Sequence, residues 1–365
     1  MPLHEVGYRA WRGRLLPPSA AIGVIAATGI RLAWKSRWLR RAMLLAWSPA
    51  LFFAASFFAF EQAVEEGRLT SLAERASRGG NLDGVGILGT VLADTLGRAA
   101  AAPGMTQAER IVATRRLVWT RLLLAFMRAP QAVLLAVVIG LVAPALISGD
   151  LRAKAWLVYF TRPVGRTEYI LGKLATLAAI VAVITVLPAT ALWLAGVLVS
   201  PSLLSAAETW DLPLRAIAAS VVLAVPTVLL ALAFSSLTAE SRIASFAWFA
   251  TWAACWIAHS ALTTADLVAA VEGQENHGVA ATAAADPPAP PPRRGHWLAR
   301  AAGLDTALDR WAWLSPYHAV GAVQAAIFGV ERRPEAVLPS VAALVAISLA
   351  SCAVLAWRVA APMKA

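Results

Sequence analysis

The sequence predicts an all-α, polytopic membrane protein: six transmembrane helices, an interfacial helix before them and a short basic amphipathic helix between the second and third. Three observations carry that prediction. The 365 residues are 59% hydrophobic and only 15% charged, with a mean hydropathy of +0.66. Soluble domains run at about 45–50% apolar and about 25% charged. Six runs, at 42–60, 129–149, 174–198, 216–237, 243–264 and 336–357, contain no Asp, Glu, Lys or Arg. Each is near the roughly 20 apolar residues that cross about 30 Å of hydrocarbon. The charges between them are distributed asymmetrically, as the positive-inside rule requires.

With the N-terminus placed in the cytoplasm, the inner segments are 1–41, 150–173, 238–242 and 358–365. They hold 16 Lys/Arg and 4 acids, against 16 Lys/Arg and 17 acids outside. The net charge of +11 is therefore mostly a consequence of topology, and a nucleic-acid partner is not expected. Both termini fall in the cytoplasm. Cys255 and Cys352 lie inside apolar runs and read as small core residues, not as a disulfide framework. No cleavable signal is evident, and the first apolar run reads as a signal anchor.

Two units follow: a cytoplasmic and interfacial segment, 1–41, and a six-span membrane domain, 42–365. In the first, Arg31, Lys35, Arg37, Arg40 and Arg41 are interleaved with Trp34 and Trp38, which suits the headgroup region. The outer loop 61–128 opens with Glu61, Glu65 and Glu66. Ser71 with Glu74 and Thr106 with Glu109 match the S/T-x-x-E capping box. The last helix of this loop is expected to run through Arg115, Arg116 and Leu122 into the second span. The 238–242 link makes spans four and five a tight antiparallel pair. The outer loop 265–335 has an Ala/Pro-rich first half, expected to be extended. Its second half carries about 15 apolar-patterned residues between Pro316 and Gly329, too few to span, and predicts an outer-leaflet or re-entrant helix.

Enzyme motifs are weak. Gly84, Gly86 and Gly89 spell GxGxxG, but no strand pattern precedes them, as a dinucleotide site would require. Gly172 and Lys173 resemble the end of a phosphate loop, but Leu174 stands where Ser or Thr is needed. The five histidines show no ligand spacing. The apolar runs also lack the intramembrane carboxylates that ion-coupled transporters keep. Their prolines, at 49, 144, 188 and 226, permit kinks, although proline is also simply common in transmembrane helices.

The 148–173 segment is unlike an inert loop. Ser148 or Asp150 is placed to cap a helix over 151–160. That helix would be basic at Arg152 and Lys154 and aromatic at Trp156, Tyr159 and Phe160. Arg162, Pro163 and Gly165 break it, and Arg166, Thr167 and Glu168 lead into the third span. A cytoplasmic knob of this kind reads as a docking site for a protein partner.

At these residues the chain resembles the membrane subunits of ATP-binding-cassette exporters of the second type, the ABC-2 permeases. The family pattern L-I-S-x-E … L-x-L-L-L-S-R-P-x-S-R-x-E-Y-x-x-G-K is met by Leu146-Ile147-Ser148, Asp150, Thr161-Arg162-Pro163, Arg166, Glu168-Tyr169 and Gly172-Lys173. The six-span plan and the apolar outer helix before the last span agree with it. A Gly-Thr pair usual in the family stands here as Lys154-Ala155, and a Glu as Leu157. The resemblance implies a permease that is not itself an enzyme. It implies a cytoplasmic coupling helix at 148–166, with Asp150, Arg152, Lys154, Trp156, Tyr159, Phe160, Arg162, Pro163, Arg166 and Glu168 as coupling residues. It further implies separate cognate ATPase subunits that hold ATP and Mg, no cofactor in this chain, a second permease copy or paralogue, and a bacterial inner membrane. The alternative from another class is a non-transporting scaffold or assembly factor that holds an extracytoplasmic partner.

Overall fold

The computed structural model describes residues 17, 19–68, 71, 91, 106–155, 165–281, 310–331 and 333–360. Of these, 89% are helical and none is in a strand. The elements are α1 (Ala20–Lys35), α2 (Arg37–Glu65), α3 (Gln107–Phe126), a π-helical segment (Met127–Gln131), α4 (Ala132–Arg152), α5 (Arg166–Ile184), α6 (Val186–Val199), α7 (Leu204–Glu208), α8 (Asp211–Leu237), α9 (Ser241–Ala281), a 3₁₀ turn (Ala312–Leu314), α10 (Pro316–Ile327) and α11 (Pro334–Ala360).

Five helices, Arg37–Glu65, Glu109–Arg152, Arg166–Val199, Asp211–Leu237 and Val337–Val359, are long and apolar enough to cross a membrane. The remaining expected span, 243–264, lies wholly inside α9. There Trp248, Thr251, Trp252, Trp256 and His259 dilute its hydropathy, and it is not among the five. The end of the bundle that carries residues 150–166 is called the loop face below; the other end is the far face.

Local signals explain most helix boundaries. Ser36 is extended (ψ 121°) and separates α1 from α2; its hydroxyl accepts from the Leu39 amide. The capping box at α3 is complete. Thr106 Oγ1 accepts from the Glu109 amide at 3.3 Å, and the Thr106 amide donates to Glu109 Oε2 at 2.9 Å. The other expected box needs Glu74, which lies outside the described residues, as do the GxGxxG glycines. The expected run of α3 into the second span is observed: α3, the π segment and α4 make one 44-residue rod from Glu109.

Carbonyls freed by two of the prolines are taken up by side chains. A proline leaves the carbonyl four residues earlier without its helical donor. Ser48 Oγ takes that role for Pro49, donating to the Leu45 carbonyl at 2.8 Å. Ser245 Oγ, from α9, does so for Pro144, donating to the Gly140 carbonyl at 3.0 Å. Pro130 lies in the π segment, and Pro188 follows a break at Thr185 (φ −109°, ψ −57°).

The 310–331 stretch folds back against α9 and α8. Trp311 Nε1 donates to Asp266 of α9 at 2.8 Å. Further in, His318 stacks on His259 with ring centres 3.5 Å apart, and Tyr317 meets Trp256 at 5.0 Å. The tip at Pro316 lines a small apolar cavity with Pro226, Trp248 and Trp252. The chain then climbs along α8. Gln324 donates to the Ala219 carbonyl at 3.2 Å, and Arg215 to the Ile327 carbonyl at 3.1 Å. Gly329, at φ +74°, turns the chain into α11.

One expectation needs narrowing. The runs drawn from the sequence are free of charge, but the helices that contain them extend further and bury charged groups beside them. Glu61 is fully buried and accepts both Nε and Nη2 of Arg115 at 3.0 Å, with Trp119 Nε1 at 3.1 Å. Arg121 and Arg128 are only 2% and 6% exposed. They are seven residues apart, two turns on one side of a helix. That spacing was the sequence signal for a helix that packs against protein through its arginines.

Candidate functional site: the base of the 150–166 loop

The site is built where α4 ends and α5 begins. Contrary to the expected N-cap, neither Ser148 nor Asp150 starts a new helix. α4 runs through both and ends at Arg152. Ser148 is fully buried; its hydroxyl donates to the Ser235 carbonyl of α8 at 2.8 Å. The amides of Ile147 and Ser148 donate to Ser235 Oγ, which donates in turn to the Pro144 carbonyl. Packing against α8 has taken the role that local pattern assigned to a cap.

The helix stops through a Schellman arrangement. The Ala155 amide donates to the Asp150 carbonyl at 2.9 Å and the Lys154 amide to the Leu151 carbonyl at 3.2 Å. This closure requires a left-handed residue after the cap, and Lys154 supplies it at φ +51°. Side chains rarely adopt that conformation and glycine does so freely. The position is the one where the family pattern has its glycine.

Asp150 is the junction. Its Oδ2 accepts Lys173 Nζ at 2.7 Å and the Tyr169 hydroxyl at 2.8 Å. The Lys173 ammonium also lies 5.4 Å from the Tyr169 ring centre. Lys173 is 8% exposed at its side chain and Asp150 22%. Tyr169 and Lys173 are four residues apart, hence on one face of α5. Together the three tie the two ends of the loop to each other. Arg152, Lys154 and Arg166 are exposed around this base. The Glu168 carboxylate folds back over Gly165 at the start of α5, where the helix dipole favours a negative charge. Trp156, Tyr159, Phe160, Arg162 and Pro163 lie outside the described residues.

α5 is also clasped from the N-terminal side. At Gly172 an added Cβ would come within 2.6 Å of Ile25 Cγ2, so α1 and α5 approach at a distance only glycine permits. Tyr169, Lys173 and Ser235 are not among the coupling residues expected from the sequence. The first two were legible as an i,i+4 pair within the matched motif. Ser235 was not, because its partner is 87 residues away.

This architecture defines a class: a helical, multi-pass membrane protein whose tied loop and neighbouring helices meet at one end of the bundle. Residues 36–357 match the ABC-2 family transporter protein domain. The chain belongs to that family and is a permease of an ABC transporter. No curated protein matches it.

Proposed function

We propose that this chain forms the membrane pathway of an ATP-driven exporter and receives its energy through the 150–166 loop from a separate ATPase subunit. Two copies, or one copy and a paralogue, would enclose the pathway in a bacterial inner membrane, with both termini cytoplasmic. The observation that carries the reading is the Asp150–Tyr169–Lys173 tie in a chain of this family. With the two ends of the loop bound together, a push on it reaches α4 and α5 at once. α4 would pass the push to α8 through Ser148 and Ser235, and α5 would pass it to α1 at Gly172. The ATPase does work on the bundle only if it binds the loop differently in its two states. ATP and Mg belong to that partner.

The test is affinity purification of the tagged chain in mild detergent, with identification of co-purifying subunits and an ATPase assay. A stoichiometric nucleotide-binding subunit, lost in Arg162→Glu/Trp156→Ala without loss of membrane insertion, is the expected result. A clean preparation without one, under conditions that preserve other ABC complexes, would refute the exporter reading and favour the scaffold.

A further inference from the structure

Among the described residues, the buried apolar side chains form two separate cores. The core nearer the loop face includes Ala46, Ala132, Ile184 and Leu223. The core nearer the far face includes Phe53, Met127, Ala189 and Ala219. α2, the α3–α4 rod, the α5–α6 span, α8 and α10 contribute to both, and three of them change core where their backbone is irregular. α2 changes across Pro49. The rod changes at the π segment, between Met127 and Ala132. The third span changes across Thr185, between Ile184 and Ala189. In α8 the change falls between Ala219 and Leu223, one turn before Pro226.

These irregularities lie at one level, because side chains join them. Gln131, in the π segment, donates Nε2 to the Ala46 carbonyl at 3.1 Å. Trp47 donates Nε1 to the Val183 carbonyl at 3.1 Å, in the last turn before the Thr185 break. π segments and prolines are where helices bend, and close-packed cores resist deformation.

We propose that this level is a hinge plane. The loop-face half of the bundle pivots as a body against the far-face half, and the bending falls at residues 46–49, 127–131, 183–188 and 219–226, with α10 crossing the same level between Val320 and Ala325. The hinge rests on the transporter reading above. Its distinct content is where the motion occurs.

The experiment uses the complex of the full chain with its co-purified ATPase in lipid nanodiscs, reading ATP turnover and melting temperature. Pro49→Ala and Pro188→Ala restore backbone donors in the plane. Both should raise the melting temperature and lower turnover several-fold. Pro339→Ala, off the plane, should leave turnover unchanged. Trp47→Phe keeps a ring but releases the Val183 carbonyl; it should lower the melting temperature and raise turnover, and it remains informative if a proline variant fails to assemble. Wild-type turnover in assembled Pro49→Ala, Pro188→Ala and Trp47→Phe complexes would overturn the hinge and leave the transporter reading intact. An equal loss in Pro339→Ala would overturn it as well. Absence of any ATPase from the wild-type preparation would instead refute the transporter reading, and the hinge with it.

Discussion

Asp150→Asn is the most direct probe of the loop base. The substitution keeps the side-chain shape and an acceptor for the Tyr169 hydroxyl, but removes the charge that faces Lys173 Nζ at 2.7 Å. Hydrogen bonds to charged groups contribute about 1.5–3 kcal/mol. Exposed ion pairs contribute roughly 0–1 kcal/mol, and breaking a fully buried pair costs about 3–5 kcal/mol. Lys173 is 8% exposed and Asp150 22%, which places this pair between those limits, so a loss of about 2–3 kcal/mol is expected. Lys173→Met leaves Asp150 with the tyrosine and some solvent, and should cost less. Removing both charges should cost less than the two single losses together, with a coupling energy of about 1–3 kcal/mol. Thermal or SDS unfolding of the detergent-solubilised chain, followed by its tryptophan fluorescence, measures all four species. A coupling energy within about 0.5 kcal/mol of zero would show that the pair does not tie the loop, and the transmission route through Asp150 would fall with it.

Other substitutions read other parts of the structure. Lys154→Gly relieves a left-handed side chain in the Schellman turn, and should raise stability by about 1 kcal/mol with no change in membrane insertion, measured in the same unfolding assay. Glu61→Gln leaves Arg115 with the partly exposed Glu208 at 3.4 Å and should cost about 2–3 kcal/mol, less than a buried pair broken outright. Glu61→Gln/Arg115→Met should recover most of that loss, and a double variant as unstable as the single would refute the pair's role. Gly172→Leu should drive α1 off α5, because the neighbouring Ile25 Cβ and the Ile22 carbonyl leave no room for a side chain; limited proteolysis of residues 20–36 should then accelerate.

The sequence showed clearly those features that short-range physics sets. The capping box at Thr106, the helix between Pro316 and Gly329 and the entry of α3 into the second span all depend on residues within a few turns of one another. The loop base was legible in part. The motif marked the stretch, and the i,i+4 spacing of Tyr169 and Lys173 marked one face. Nothing local said that Ser148 would bind α8 in place of capping a helix. That choice depends on Ser235, brought up by the packing of two long rods. The buried charges were missed for a related reason. A hydropathy run ends at the first arginine, whereas the helix continues and its arginines find protein around them. The π segment was also hidden, since Met-Arg-Ala-Pro-Gln has no signature that separates it from an ordinary proline kink.

Arg358 offers a check of a different kind. Near the end of α11 it donates Nε to the Ser236 carbonyl at 3.1 Å and Nη2 to the Leu237 carbonyl at 3.3 Å, so the last turns of α8 and α11 share one face. The number of crossings between residues 237 and 358 must therefore be even. Among the described residues α11 is long and apolar enough to supply one crossing, so even parity calls for a second, for which the 41-residue α9 is the candidate, while the 12-residue α10 is too short to supply one. Were α10 ever to be threaded through the bilayer, the count would become odd and Arg358 would arrive on the wrong side, some 30 Å of hydrocarbon from the carbonyls it binds. One guanidinium thus acts as a parity bit for the C-terminal third of the chain, satisfied only when the number of crossings is even.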